Sequence, residues 1–164
     1  MQAEDFRAIV ESCVESCGRQ AGDGSVRNGV LIVSRTPPGD VPAAVLPPDT
    51  PCHWCSDLQS VDDLPADLRM GLGIVFDQLE FLDKPAAVHL LSRLRDQHCE
   101  RVAVCLSKPI LTEREMLALG YMEQKRPSID GRLFLFDPDM FFTRREWNTP
   151  NHWANPENFS KYRW

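Results

Sequence analysis

The sequence contains no apolar run near the ~20 residues that a bilayer-spanning helix requires, so a membrane segment is not expected. It has no basic excess either. Eighteen Lys and Arg stand against 24 Asp and Glu, for a net charge of −6. A nucleic-acid groove draws its affinity from phosphate neutralisation by Lys and Arg, and that class is set aside. Glycine is sparse, at nine residues, and none of it gathers into a phosphate-cradling loop. No Ser, His and Asp arrangement stands out. The opening MQAEDFRAIVESC is acidic and amphipathic, unlike a secretory leader. The expected compartment is therefore the cytoplasm. There the six cysteines read as thiols or metal ligands rather than staples.

What remains is an ordinary globular composition, 43% hydrophobic and 26% charged. A length of 164 residues fits one domain with one sizeable core. We expect a single domain over 1–164, with its core in 1–140 and an arm in 141–164. The arm carries Phe141, Phe142, Trp147, Trp153, Phe159, Tyr162 and Trp164. That aromatic density is costly to leave in water. It implies an arm folded back on its own domain, or a surface for a dimer or another partner.

The periodicity alternates in type along the chain. Ala3, Phe6, Ile9, Val10, Cys13, Val14 and Cys17 recur at helical spacing. Gly29–Ser34 is a continuous apolar, β-branched run, as a strand buried on both faces should be. Six of the thirteen prolines fall in 36–51, which argues against regular structure there and predicts an extended, ordered loop. A short strand at Cys52–Cys55 and one helical turn within Asp62–Arg69 follow. Leu72–Phe76 reads as a buried strand. Asp83 caps a helix with Pro85 in its first turn; Ala87, Leu90, Leu91 and Leu94 form its buried stripe. Arg101–Leu106 is the next strand. Thr112-Glu113-Arg114-Glu115 is a capping box, with Leu111 and Met116 spaced as its staple, ahead of a helix that stops at Gly120. Strands near Tyr121–Lys125 and Arg132–Phe136 close the series, joined through Asp130-Gly131. Strands alternating with helices predict an α/β fold. Its mostly parallel sheet is covered on both faces, and the final hairpin is antiparallel.

From Ser56 to about Phe136 the chain resembles class I S-adenosylmethionine-dependent methyltransferases. The residues that carry the likeness are Asp57, Leu64-Pro65, the run from Gly73 through Asp77 and Glu80 to Pro85, and Leu117-Ala118-Leu119-Gly120-Tyr121. The resemblance implies a three-layer Rossmann-like sheet. Val30–Ser34 should lie beside Leu72–Phe76, with Arg101–Leu106 beyond it. The sheet should fall short of the family's seven strands, because 36–51 replaces a helix and a strand. It also implies an acidic residue, Asp57, near an adenine. The whole chain, with its Trp-Ala-Asn-Pro tail, is further similar to a small bacterial family of unknown function.

The loop after the first strand departs from the methyltransferase pattern. That family places glycines and a carboxylate there for close approach to the cofactor. This chain has Ser34-Arg35-Thr36-Pro37-Pro38-Gly39. Arg35 brings a positive charge to where a cationic sulfonium would lie. We therefore expect no resident cofactor and no tight binding of S-adenosylmethionine.

The candidate ligand-binding residues are Ser34, Arg35, Gly39, Asp57, Asp77 and Glu80. Asp77 and Glu80 follow the strand edge where ligands bind in open sheets. They serve either as base or polar contact, or as ion-pair partners of Arg35. Cys52 and Cys55 have metal-knuckle spacing, which Cys13 and Cys17 would complete as a zinc site. The alternatives are a redox disulfide across Cys52 and Cys55, and plain packing of free thiols. Cys99 and Cys105 look structural; His89 and His98 look like surface or boundary residues. Two function classes stay open, a binding or interaction domain without ordinary methyl transfer and an atypical active methyltransferase. A zinc or thiol-redox module is a third. The expected partners are a protein or a small molecule, with the chain a monomer or homodimer.

Overall fold

The computed structural model describes Glu4 and residues 6–10, 28–125 and 131–141. Residues 6–10 are helical (α1). The remaining elements are β1 (Val30–Val33), α2 (Val41–Val45), β2 (Cys52–Cys55), α3 (Leu58–Asp62), β3 (Met70–Phe76), a 3-10 turn (Leu79–Phe81), α4 (Lys84–Arg93), a π turn (Leu94–His98), β4 (Cys99–Leu106), α5 (Glu113–Ala118), β5 (Met122–Gln124), β6 (Arg132–Phe136) and α6 (Pro138–Phe141). The C-terminal arm beyond Phe141, Cys13, Cys17, Asp130 and the rest of the predicted first helix lie outside the described residues.

The six strands of the described sheet run in the order β2-β1-β3-β4-β6-β5. The first four are mutually parallel; β6 is antiparallel to β4 and to β5. The expected neighbours are in place, with Ile32 opposite Ile74 and Gly73 opposite Val102. This is the mostly parallel α/β sheet with a reversed C-terminal pair that the sequence predicts.

Period-2 alternation divides the strands between two cores. Leu31, Val33, Val75, Val102, Val104 and Phe134 face one side, where Ala87, Leu90 and Leu91 of α4, Leu94 and Met116 cover them. Val30, Ile32, Leu72, Ile74, Ala103 and Leu135 face the other, under Phe6, Ile9, Val10 and Leu46. Burial on both faces explains why β1 and β3 read as unbroken apolar runs.

Local chemistry sets the helix ends. The Asp83 carboxylate accepts from the Ala86 amide at 2.9 Å, and Pro85 sits in the first turn of α4. Thr112 and Glu115 form the predicted reciprocal cap of α5, and Gly120 leaves that helix at φ +88°. Three expectations are corrected. The proline-rich segment holds α2, because Pro42 lies in its first turn, where a missing amide costs nothing. The helical turn expected in Asp62–Arg69 forms earlier, as α3, because Asp57 and Ser60 make a capping box; residues 65–68 form only a turn. His98 is fully buried rather than superficial. The π turn wraps it under the sheet, with Nδ1 at 3.2 Å from the Leu68 carbonyl. His89 is exposed, as expected, and contacts Asp62.

Candidate functional site

The C-terminal ends of β2, β1, β3 and β4 lie along one edge of the sheet. Open α/β sheets bind ligands at this edge, where successive strands depart to opposite sides. In this chain that place is the β1–β3 junction.

Ser34 follows β1 and is buried. Its amide donates to the Cys55 carbonyl at 3.1 Å, and its hydroxyl to the Thr36 carbonyl at 2.7 Å. The indole Nε1 of Trp54 donates to the Ser34 carbonyl at 2.9 Å and lies 3.2 Å from Ser34 Oγ. Trp54 thus ties β2 to the end of β1, yet it stays 41% exposed. Across the junction, the Arg35 amide donates to Asp77 Oδ1 at 2.9 Å. Asp77 has φ +54°, a left-handed conformation that Asp tolerates better than most residues.

The expected ion pair of Arg35 with Asp77 or Glu80 does not form. Arg35 meets Asp77 through its backbone, and its guanidinium lies over the Phe81 ring, 3.8 Å from the centroid. Glu80 turns the other way. Its Oε1 accepts from the amides of Ser107 and Lys108 at 2.7 and 3.0 Å. The 3-10 turn sends residues 80 and 81 to opposite flanks, and two fixed amides at the end of β4 satisfy the carboxylate. Phe81 remains 63% exposed.

The other candidates separate from this group. Asp57 caps α3, accepting from the Ser60 amide at 2.8 Å. That amide, and then the Ser60 hydroxyl, hold its carboxyl below the usual range. Gly39, at φ +58°, instead lines a cavity of about 330 Å³ between the proline-rich segment and β2, with Asp40, Leu46 and Trp54 among its walls. Cys52 is exposed and Cys55 buried. Burial pushes both thiols up, so neither is an activated thiolate. The strand pleat sends residues three apart to opposite faces. A three-residue extended step spans roughly 10 Å, beyond the ~7 Å that a disulfide bridges. Cys52 and Cys55 therefore form neither a knuckle nor a redox pair in this conformation. Among the described residues no group of three His, Cys, Asp or Glu is placed to hold a metal, and no helix is long and apolar enough to cross a membrane.

The structure brings Ser34, Arg35 and Asp77 together. It adds two residues that the sequence reading missed, Trp54 and Phe81, with Gln78 beside Asp77 in the chain. Trp54 and Phe81 carried a faint signal as large aromatics directly at strand or turn ends. Gln78 carried none. It is 4% exposed, and its Oε1 is buried without a hydrogen-bond partner.

The chain is similar in fold to a crystal structure of Burkholderia thailandensis 1,6-didemethyltoxoflavin-N1-methyltransferase with bound 1,6-didemethyltoxoflavin and S-adenosylhomocysteine. Identity is 12% and the TM-score 0.49, over 81% of this chain and 76% of that one. No curated protein matches. A family of unknown function, DUF6231, matches residues 7–164. With nearly its whole length matched, the chain belongs to that family.

Proposed function

We propose that this chain is a binding domain on a methyltransferase-like sheet and does not perform ordinary S-adenosylmethionine-dependent methyl transfer. The observation that carries this reading is the bridge from the Arg35 amide to Asp77 Oδ1 across the β1–β3 junction. Ligands of open sheets enter at that junction. The neighbouring donors are committed too. Ser34 gives its amide to Cys55, and Pro37 and Pro38 have none to give. The residues present do not fit a sulfonium cofactor. The loop is not glycine-rich, and the Arg35 guanidinium is held close by. A second positive charge at about 4 Å costs on the order of 1 kcal/mol in water and 4 kcal/mol near a protein surface.

An atypical methyltransferase is the second reading. One observation favours it: β2 lies directly beside β1 and is followed by Ser56-Asp57. In the resembled family the strand next to the first one carries the ribose-binding acid. Against it, the Asp57 carboxylate is occupied as the cap of α3. Calorimetric titration with S-adenosylmethionine and S-adenosylhomocysteine separates the two readings. We expect no measurable binding. A micromolar Kd, roughly −8 kcal/mol, would overturn the binding-domain reading and restore the enzyme.

A further inference from the structure

Charged groups along the C-terminal edge are used unequally. The three candidate carboxylates turn inward and accept backbone amides: Asp57 from Ser60, Asp77 from Arg35, and Glu80 from Ser107 and Lys108. Lys84 and Arg132 at the same edge are paired with Glu115 and Glu123, but two cations are used differently. Among the described residues no acidic group pairs with the side chain of Arg35 or of Lys108, and both residues are exposed. The unspent capacity of this edge is therefore that of a cationic donor.

Arg35 is also pre-positioned. Its amide is fixed on Asp77, and one face of its guanidinium rests on Phe81 at 3.8 Å. A planar guanidinium held this way loses little freedom when it takes a carboxylate or phosphate in its two-pronged edge. It also keeps a second face for stacking. Phe81 is the most exposed of the large apolar side chains described, at 63%, so an aromatic ring held beside Arg35 has apolar surface to cover.

We propose that this edge binds a planar organic anion, a carboxylate or phosphate borne on an aromatic ring. Arg35 grips the anion and the Arg35–Phe81 stack supports the ring. This proposal rests on the binding-domain reading and names its ligand class.

The test is an amide NMR titration of the full chain with phenyl phosphate, benzoate and inorganic phosphate. The two aryl anions should give saturable shifts at Arg35 and Phe81. Inorganic phosphate should bind more weakly because it cannot stack. Arg35→Gln should weaken phenyl phosphate about tenfold, the loss of one charge-assisted contact. Arg35 is exposed and its structural bond is made by the backbone, so this variant should keep the wild-type spectrum elsewhere. Phe81→Ala should weaken phenyl phosphate and leave inorganic phosphate unchanged. The proposal is overturned if neither aryl anion gives saturable shifts, if Arg35→Gln binds as the wild type does, or if phenyl and inorganic phosphate bind equally. A parallel arm with S-adenosylmethionine keeps the failures apart. Its binding would sink the binding-domain reading, while the anion proposal is judged by the aryl arms alone.

Discussion

Gly73 marks a position in β3 where no side chain fits. A Cβ there would lie 2.7 Å from Cys99 Sγ and 3.6 Å from a Val102 methyl. The absent side chain lets β4 pack Cys99 against β3. Gly73→Ala should cost about 1–3 kcal/mol by overpacking, read as a lower urea midpoint with an unchanged m-value. Cys99 itself is inert. Burial pushes its thiol up to about 12, which fits the structural role the sequence suggested. Other single-residue assignments were less legible. Arg35 had two carboxylates within its sequence horizon, and opposite charge made them the obvious partners. The outcome depended on which flank of a three-residue turn Glu80 and Phe81 would take, and that is set by free amides at the end of a different strand. His98 misled for a similar reason. A histidine at a helix end usually meets water, and only the π turn carries this one under the sheet.

Elements with self-contained chemistry were the readable ones. The cap of α5 needs only Thr112 and Glu115, and both bonds are made. Thr112→Ala should lower stability by about 1 kcal/mol. Glu115 adds a pH signature. The Thr112 amide, then the Lys84 ammonium at 3.1 Å, bring its carboxyl down to about 2. A depressed carboxyl stabilises the fold above the ordinary glutamate range and loses that contribution as pH falls toward about 2. Thermal melts from neutral to pH ~2 should show a wild-type decline in this window. Glu115→Gln should flatten that decline; identical slopes would show that the carboxylate contributes nothing to the fold. By contrast, α2 was hidden. Six prolines in sixteen positions mask the one proline that starts a helix. The box Asp57-Leu58-Gln59-Ser60 was missed because Ser closes it where Glu or Gln is usual.

For the whole molecule, a parallel, covered sheet was legible because parallel strands need crossovers and β1 had to be buried on both faces; the neighbours of β1 came from the methyltransferase resemblance. Order in space is not order in time. The β1–β3 junction is fastened by a bond spanning 42 residues, whereas β3 and β4 are joined through a shorter connection built on the 3-10 turn, α4 and the π turn. Closing the shorter loop costs less entropy, so the β3–α4–β4 unit should assemble first and β1 should dock onto it. Pulse-labelled hydrogen exchange during refolding checks this. Amides of Val102–Val104 should gain protection before those of Leu31–Val33, and the reverse order would refute it. On a ribosome the consequence is sharper. Val30–Val33 leaves the exit tunnel before Met70–Phe76 has emerged to receive it, and all four of its side chains are apolar. A strand that ends up buried at every residue is, for that interval, an exposed apolar segment. The prolines that follow it at 37, 38, 42, 47, 48 and 51 cannot extend it into a longer sticky strand, so the nascent chain carries its own safeguard against misassociation.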